Sequence, residues 1–107
     1  MHARLTYVAI RPGKMADVQR IYRDQVVPAA EIQDGFRGAM LLVEDGGEFA
    51  VSITYWDSHD SATAAEANGY YQEQLAKFVD VLVGAPSREL YDVAVNCSAG
   101  AVERSHC

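Results

Sequence analysis

The segment GFRGAMLLVEDGGEFAVSITYW, residues 35–56, restricts the fold more than any other stretch of the chain. Two runs of strand-forming residues flank Asp45-Gly46-Gly47, residues that tolerate the positive φ a tight hairpin requires. The segment therefore reads as two antiparallel strands. From Phe49 to Trp56, neither the odd positions (Phe49, Val51, Ile53, Tyr55) nor the even ones (Ala50, Ser52, Thr54, Trp56) carry a charge, although a strand half open to water carries charge on one face. In the first of the two strands, Ala39, Leu41 and Val43 fall on one side and Phe36, Met40 and Leu42 on the other. Both faces of the hairpin are expected to be covered.

The flanking segments say by what. Residues 4–10, RLTYVAI, form a strand that stops at Pro12-Gly13. Met15, Val18, Ile21, Tyr22 and Val26 then recur at helical spacing, and Pro28 ends or kinks that helix. A second helical region follows Trp56, breaks at Asn68-Gly69, and resumes with Tyr71, Leu75, Phe78, Val79 and Leu82 before Gly84 and Pro86 close it. Residues 88–95, RELYDVAV, alternate as a last strand. The order βαββαβ is the ferredoxin-like arrangement of the α+β class: a four-stranded antiparallel sheet with two helices on one face. Residues 1–96 make one domain, and 97–107 read as a flexible C-terminal tail. Two helices cover only one face of such a sheet. A second copy packed sheet to sheet is the economical cover for the other, so a homodimer is expected.

Composition removes several function classes. A net charge of −6, with nine basic residues scattered along the chain, leaves no basic stripe for nucleic acid. No window is long and apolar enough to span a membrane, and the N-terminus does not read as a secretory signal. Cys97 and Cys107 lie beyond the periodic segments, which fits reduced thiols in a cytoplasmic protein. Asp57, His59 and Asp60 are adjacent ligands without a distant third or fourth, so no metal site is expected.

Three stretches point to a family. RPGK after the first strand, DGFRGAMLL opening the second, and YWDSHDSA at the junction of third strand and second helix resemble the antibiotic biosynthesis monooxygenase-like, dimeric α/β-barrel superfamily over roughly residues 4–95. The resemblance implies a barrel formed by two sheets at a dimer interface, with a substrate cavity between sheet and helices in each subunit. It implies a cofactor-independent monooxygenase acting on an aromatic polyketide, quinol or similar planar phenol. A non-catalytic, ligand-binding or stress-related dimer of the same fold is the alternative. The anthrone oxygenases of the family carry an Asn four residues before the strand-ending Trp and a Tyr six residues after it; here Ser52 and Ala62 stand there, and only Trp56 matches. The haem-degrading branch uses an Asn, a Trp and a His where this chain has Thr6, Ala65 and Leu75, which disfavours haem degradation.

The candidate site residues follow. Trp56 is the candidate catalytic residue, a lid or wall that stacks on a planar ring and offers one N–H donor; packing of the core is its other reading. Ser52 and Thr54 share its strand face, and Thr6 joins them from the first strand, placing small hydroxyls on an apolar surface as a small-molecule cavity needs. Tyr71 extends the Leu75–Phe78 stripe and is expected to pack in the core or send its hydroxyl to the cavity. His59 has the titration range of a general base, but Asp57 or Ser58 is the natural helix N-cap, which puts His59 at an exposed helix start. Arg37 and Arg88 are candidates for an acidic ligand or for plain surface.

Overall fold

A computed structural model describes residues 1–99. Strands β1 (His2–Ala9), β2 (Phe36–Val43), β3 (Phe49–Trp56) and β4 (Ser87–Asp92) form one antiparallel sheet in the order β2-β3-β1-β4. The first helical body joins α1 (Met15–Ile21), a π-helical turn (Tyr22–Val26) and α2 (Val27–Glu31); the second comprises α3 (His59–Ala67) and α4 (Tyr70–Ala76). This is the expected ferredoxin-like sandwich. Gly46, at φ +67°, makes the hairpin turn, while Gly69, at φ +88°, makes the break between α3 and α4, where Asn68 Oδ1 accepts the Tyr70 N–H at 2.9 Å. Ser58 caps α3 by accepting the Ser61 N–H at 3.1 Å.

Pro28 neither ends nor breaks the first helix. It lacks the N–H that would bond to the carbonyl four residues back, and its ring crowds that carbonyl. The π turn just before it widens the coil, with the Val27 N–H bonding to Tyr22 O. The second body, by contrast, closes sooner than its stripe suggested. After Ala76 the chain tightens into three-residue turns, so Phe78, Val81 and Leu82 point inward and Val79 outward.

Cross-strand register sorts the two sheet faces. Ala50, Ser52, Thr54 and Trp56 oppose Val8, Thr6, Arg4 and His2 beneath the helices. Ala39 and Leu41 share that side, as expected, but Phe36 does not lie with Met40 and Leu42. A bulge between Phe36 and Gly38 adds one residue and flips Phe36 onto Trp56, ring centroids 5.6 Å apart. On the outer face Phe49, Met40, Leu42, Tyr7 and Tyr91 are exposed in the single chain, Phe49 to 59%. No described residue covers them.

Beneath the helices the core has two clusters. One joins Ile10, Val18, Tyr22, Val26, Phe78, Val81 and Leu82; the other packs Trp56 against Ala30, Ala62, Ala65, Tyr70 and Tyr71. No helix among the described residues is long and apolar enough to cross a membrane. The tail expected at 97–107 lies, from residue 100 onward, outside the described residues. Cys97 is disulfide-bonded, which corrects the expectation of reduced thiols.

Candidate functional site

A cavity of about 60 Å³ lies between sheet and helices, inside the first core cluster. Thr6, Val8, Leu41 and Ser52 form its floor, while Val18, Tyr22 and Val26 descend from the first helical body. Gln74 and Leu75 of α4, with Phe78 and Leu82 beyond it, close the other side. The π turn holds Tyr22 and Val26 over this space, in keeping with the frequency of such turns at functional sites.

The polar groups at the cavity come as hydroxyl pairs. Ser52 Oγ lies 2.9 Å from the Tyr22 hydroxyl, which also donates to the Met40 carbonyl at 3.4 Å. Thr6, directly across the sheet from Ser52, has its Oγ1 3.3 Å from the Tyr71 hydroxyl. Burial holds the Tyr22 phenol above its ordinary pKa and outweighs the hydrogen bond from Ser52, which lowers it. Tyr22 is therefore a neutral donor at pH 7. Apart from the Gln74 carboxamide the remaining lining is apolar, so a charge arising inside meets these hydroxyls, that amide and little else.

Beside the cavity sits a charge cluster built around one buried arginine. The Arg4 side chain is 2% exposed and its guanidinium donates to Glu66 Oε2 at 3.0 Å and to the Ala62 carbonyl, while Arg88 Nε donates to Glu66 Oε1 at 2.8 Å. The two guanidinium carbons lie 4.9 and 4.8 Å from the Tyr71 ring centroid. Tyr71 is thereby clamped with its hydroxyl toward Thr6. Among the described residues Arg4 Nε meets no hydrogen-bond partner.

Of the residues singled out by sequence, Thr6 and Ser52 line the cavity, and Tyr71 reaches it through Thr6. Thr54 and Trp56 stand apart. The indole is wholly buried, its N–H donates to Thr54 Oγ1 at 2.9 Å, and its faces meet Phe36, Tyr70 and the Arg4 guanidinium. No space remains beside it for a stacked ring, so the catalytic and binding roles expected of Trp56 and Thr54 have no geometry here. His59 is exposed, as the cap argument required. Arg37 pairs with Asp57 at 3.1 Å on the surface, and Arg88 belongs to the Glu66 cluster. No cluster of His, Cys, Asp or Glu among the described residues is spaced to hold a metal ion.

Sequence reasoning missed Tyr22 and Gln74. Tyr22 belongs to the apolar stripe of the first helix, whereas Gln74 stands outside the Tyr71–Leu82 stripe. A phenol and a carboxamide on core-facing positions each need a buried partner, and that need is the signal that marks them.

The description "Antibiotic biosynthesis monooxygenase" belongs to the family whose model matches residues 1–77, well over half the sequence. The chain is a member of that family. Among curated proteins no sequence match was found. Solved structures share the fold at low identity. A mutant of SnoaB, a cofactor-independent oxygenase from Streptomyces nogalater, is 17% identical with a TM-score of 0.73, covering 89% of this chain and 94% of its own. The haem degrader MhuD from Mycobacterium tuberculosis is 21% identical with a TM-score of 0.71, covering 92% and 100%. A family protein from Bordetella bronchiseptica is 14% identical with a TM-score of 0.74, covering 88% and 97%. Among the described residues the cavity lining offers no imidazole or thiolate to haem iron, and the Tyr22 phenol, its one side chain of another iron-binding type, is kept neutral by burial.

Proposed function

We propose that this family member is a cofactor-independent monooxygenase of a small planar phenol or quinol. The observation that carries the reading is the apolar cavity with hydroxyls converging on it from two sides, Ser52 with Tyr22 and Thr6 with Tyr71. In this chemistry the substrate supplies every electron. The ring CH₂ of the phenol's keto tautomer, acidified by the ring carbonyl, loses a proton; the resulting anion, which is the phenolate, bonds to O₂ through that carbon, and protonation gives a hydroperoxide. Loss of water across the O–O and remaining C–H bonds leaves a carbonyl, so O₂ accepts four electrons and ends as one carbonyl oxygen and one water. The protein orients the ring, excludes bulk water and donates hydrogen bonds to the oxyanion. Tyr22 and Ser52 act as donors, while Thr6 links the cavity to Tyr71 for proton movement.

The working unit is a homodimer closed over the apolar outer face of the sheet, supported by the exposed Phe49, Met40, Leu42 and Tyr91. Oxygen uptake with anthrones and hydroquinones, in the absence of added metal or flavin, tests the reaction. Uptake that falls at least about tenfold in Ser52→Ala, as expected for losing an oxyanion donor, supports it. Saturable binding of these compounds without uptake favours the second reading, a binding module, for which Ser52 and Ala62 speak because they replace the Asn and Tyr of the anthrone oxygenases.

A further inference from the structure

The inner cavity, at about 60 Å³, is smaller than the ~150 Å³ space that accepts benzene, so no aromatic ring fits until a wall moves. Outside it, between α2 and α4, runs a groove of about 340 Å³ lined by Ala29, Ile32, Gln33, Asn68, Tyr70 and Glu73. Among the described residues only Gln74 lines both spaces. Its side chain, 7% exposed, is the partition.

One hydrogen bond secures that partition. Lys77 Nζ lies 2.8 Å from Gln74 Oε1 and reaches across to the Gln25 carbonyl, in the π turn, at 3.5 Å. An ammonium only donates, so the amide oxygen must face Lys77 and the amide nitrogen must lie on the other side. Among the described residues Gln74 Nε2 meets no acceptor. The residues shared between cavity and apolar core, Val18, Tyr22, Val26, Phe78 and Leu82, belong to one packed cluster. Gln74 moves by side-chain rotation alone.

We propose that Gln74 is the movable partition and the specificity-determining amide of this site. A planar phenol or quinol settles in the groove between α2 and α4, displaces the Gln74 side chain from Lys77, and slides its ring into the joined space. There the freed carboxamide donates Nε2–H to a ligand oxygen. The ligand class rests on the reaction proposed above; the partition itself does not.

The test measures binding without turnover, using 2-naphthol under argon. Transfer of this phenol from water to a dry site replaces its naphtholate emission by that of the neutral form, which stopped-flow fluorescence follows. Lys77→Ala, a half-buried change at the latch, speeds association about tenfold, equivalent to about 1.4 kcal/mol of barrier. Gln74→Ala speeds association and release together. Gln74→Leu keeps the bulk but not the donor and abolishes the preference for 2-naphthol over naphthalene, an effect that a purely structural role does not produce. Equal association rates in wild type, Lys77→Ala and Gln74→Ala overturn the proposal, as does failure of all three to bind. Oxygen uptake is read separately: gated binding without uptake retires the oxygenase and keeps the partition, whereas uptake with unaltered gating does the reverse.

Discussion

Replacing Glu66 by Gln removes one charge from between two guanidiniums at almost constant shape. Arg4 is the vulnerable partner. Its side chain is 2% exposed and lies between the rings of Trp56 and Tyr71, so it has no path to water once its counter-charge is gone. Breaking a buried pair from one side costs about 3–5 kcal/mol. Glu66 itself is 22% exposed and glutamine keeps one acceptor oxygen, which brings the expected loss to about 2–3 kcal/mol. The Arg88 arm, 48% exposed, adds less than about 1 kcal/mol. For a domain of this size the sum lowers Tm by roughly 10–15 °C. Urea unfolding followed by far-UV circular dichroism supplies the free energy and differential scanning calorimetry the Tm. The paired change Arg4→Met with Glu66→Met should recover most of the loss, since apolar replacement of a buried pair is often neutral. A loss below about 1 kcal/mol for Glu66→Gln, or a double variant no better than the single, refutes the claim that Arg4 depends on this charge.

Three further outcomes are expected. Trp56→Phe should lose about 1–3 kcal/mol through the missing volume and the lost donor to Thr54, yet keep its turnover within about threefold, because the indole does not face the cavity; steady-state oxygen uptake beside urea titration separates the two effects. Met40→Glu places a charge on the outer face of the sheet and should convert the proposed dimer to monomer in sedimentation velocity without loss of secondary structure. Burial, with the nearby Tyr22 adding to it and Arg4 opposing it, pushes the Tyr70 phenol up to about 12. The unfolded chain ionises near ~10, so the stabilisation by the neutral phenol is intact below pH 10 and fades towards pH 12, worth roughly 2–3 kcal/mol; Tyr70→Phe should flatten that alkaline decline in stability.

The sequence was informative wherever a local rule governed the outcome. Asp45-Gly46-Gly47 required a turn, Ser58 was available as a cap, and Asn68-Gly69 interrupted a helix, because each effect acts within a few residues. Two things lay beyond such rules. A single bulged residue at Arg37 reversed the side of Phe36, since alternation carries no memory across an insertion. Arg4 opens the first strand with no local signal of burial, and its partner Glu66 stands 62 positions later, where no periodicity connects them. The site suffered from the same limit: Thr6 and Ser52 were found by strand parity, but Tyr22 and Gln74 met them only through packing between helix and sheet.

The π turn also settles how one helix serves two neighbourhoods. An α-helix turns about 100° per residue, so the surplus residue of a π turn rotates everything after it by that angle relative to what came before. Upstream, Val18 and Tyr22 face the cavity; downstream, Ala30 faces the indole of Trp56. A regular helix of the same sequence would have to sacrifice one contact to keep the other. Deleting one residue there would therefore act like turning a key, swinging the whole N-terminal half of the helix off the cavity while its C-terminal half stayed in place.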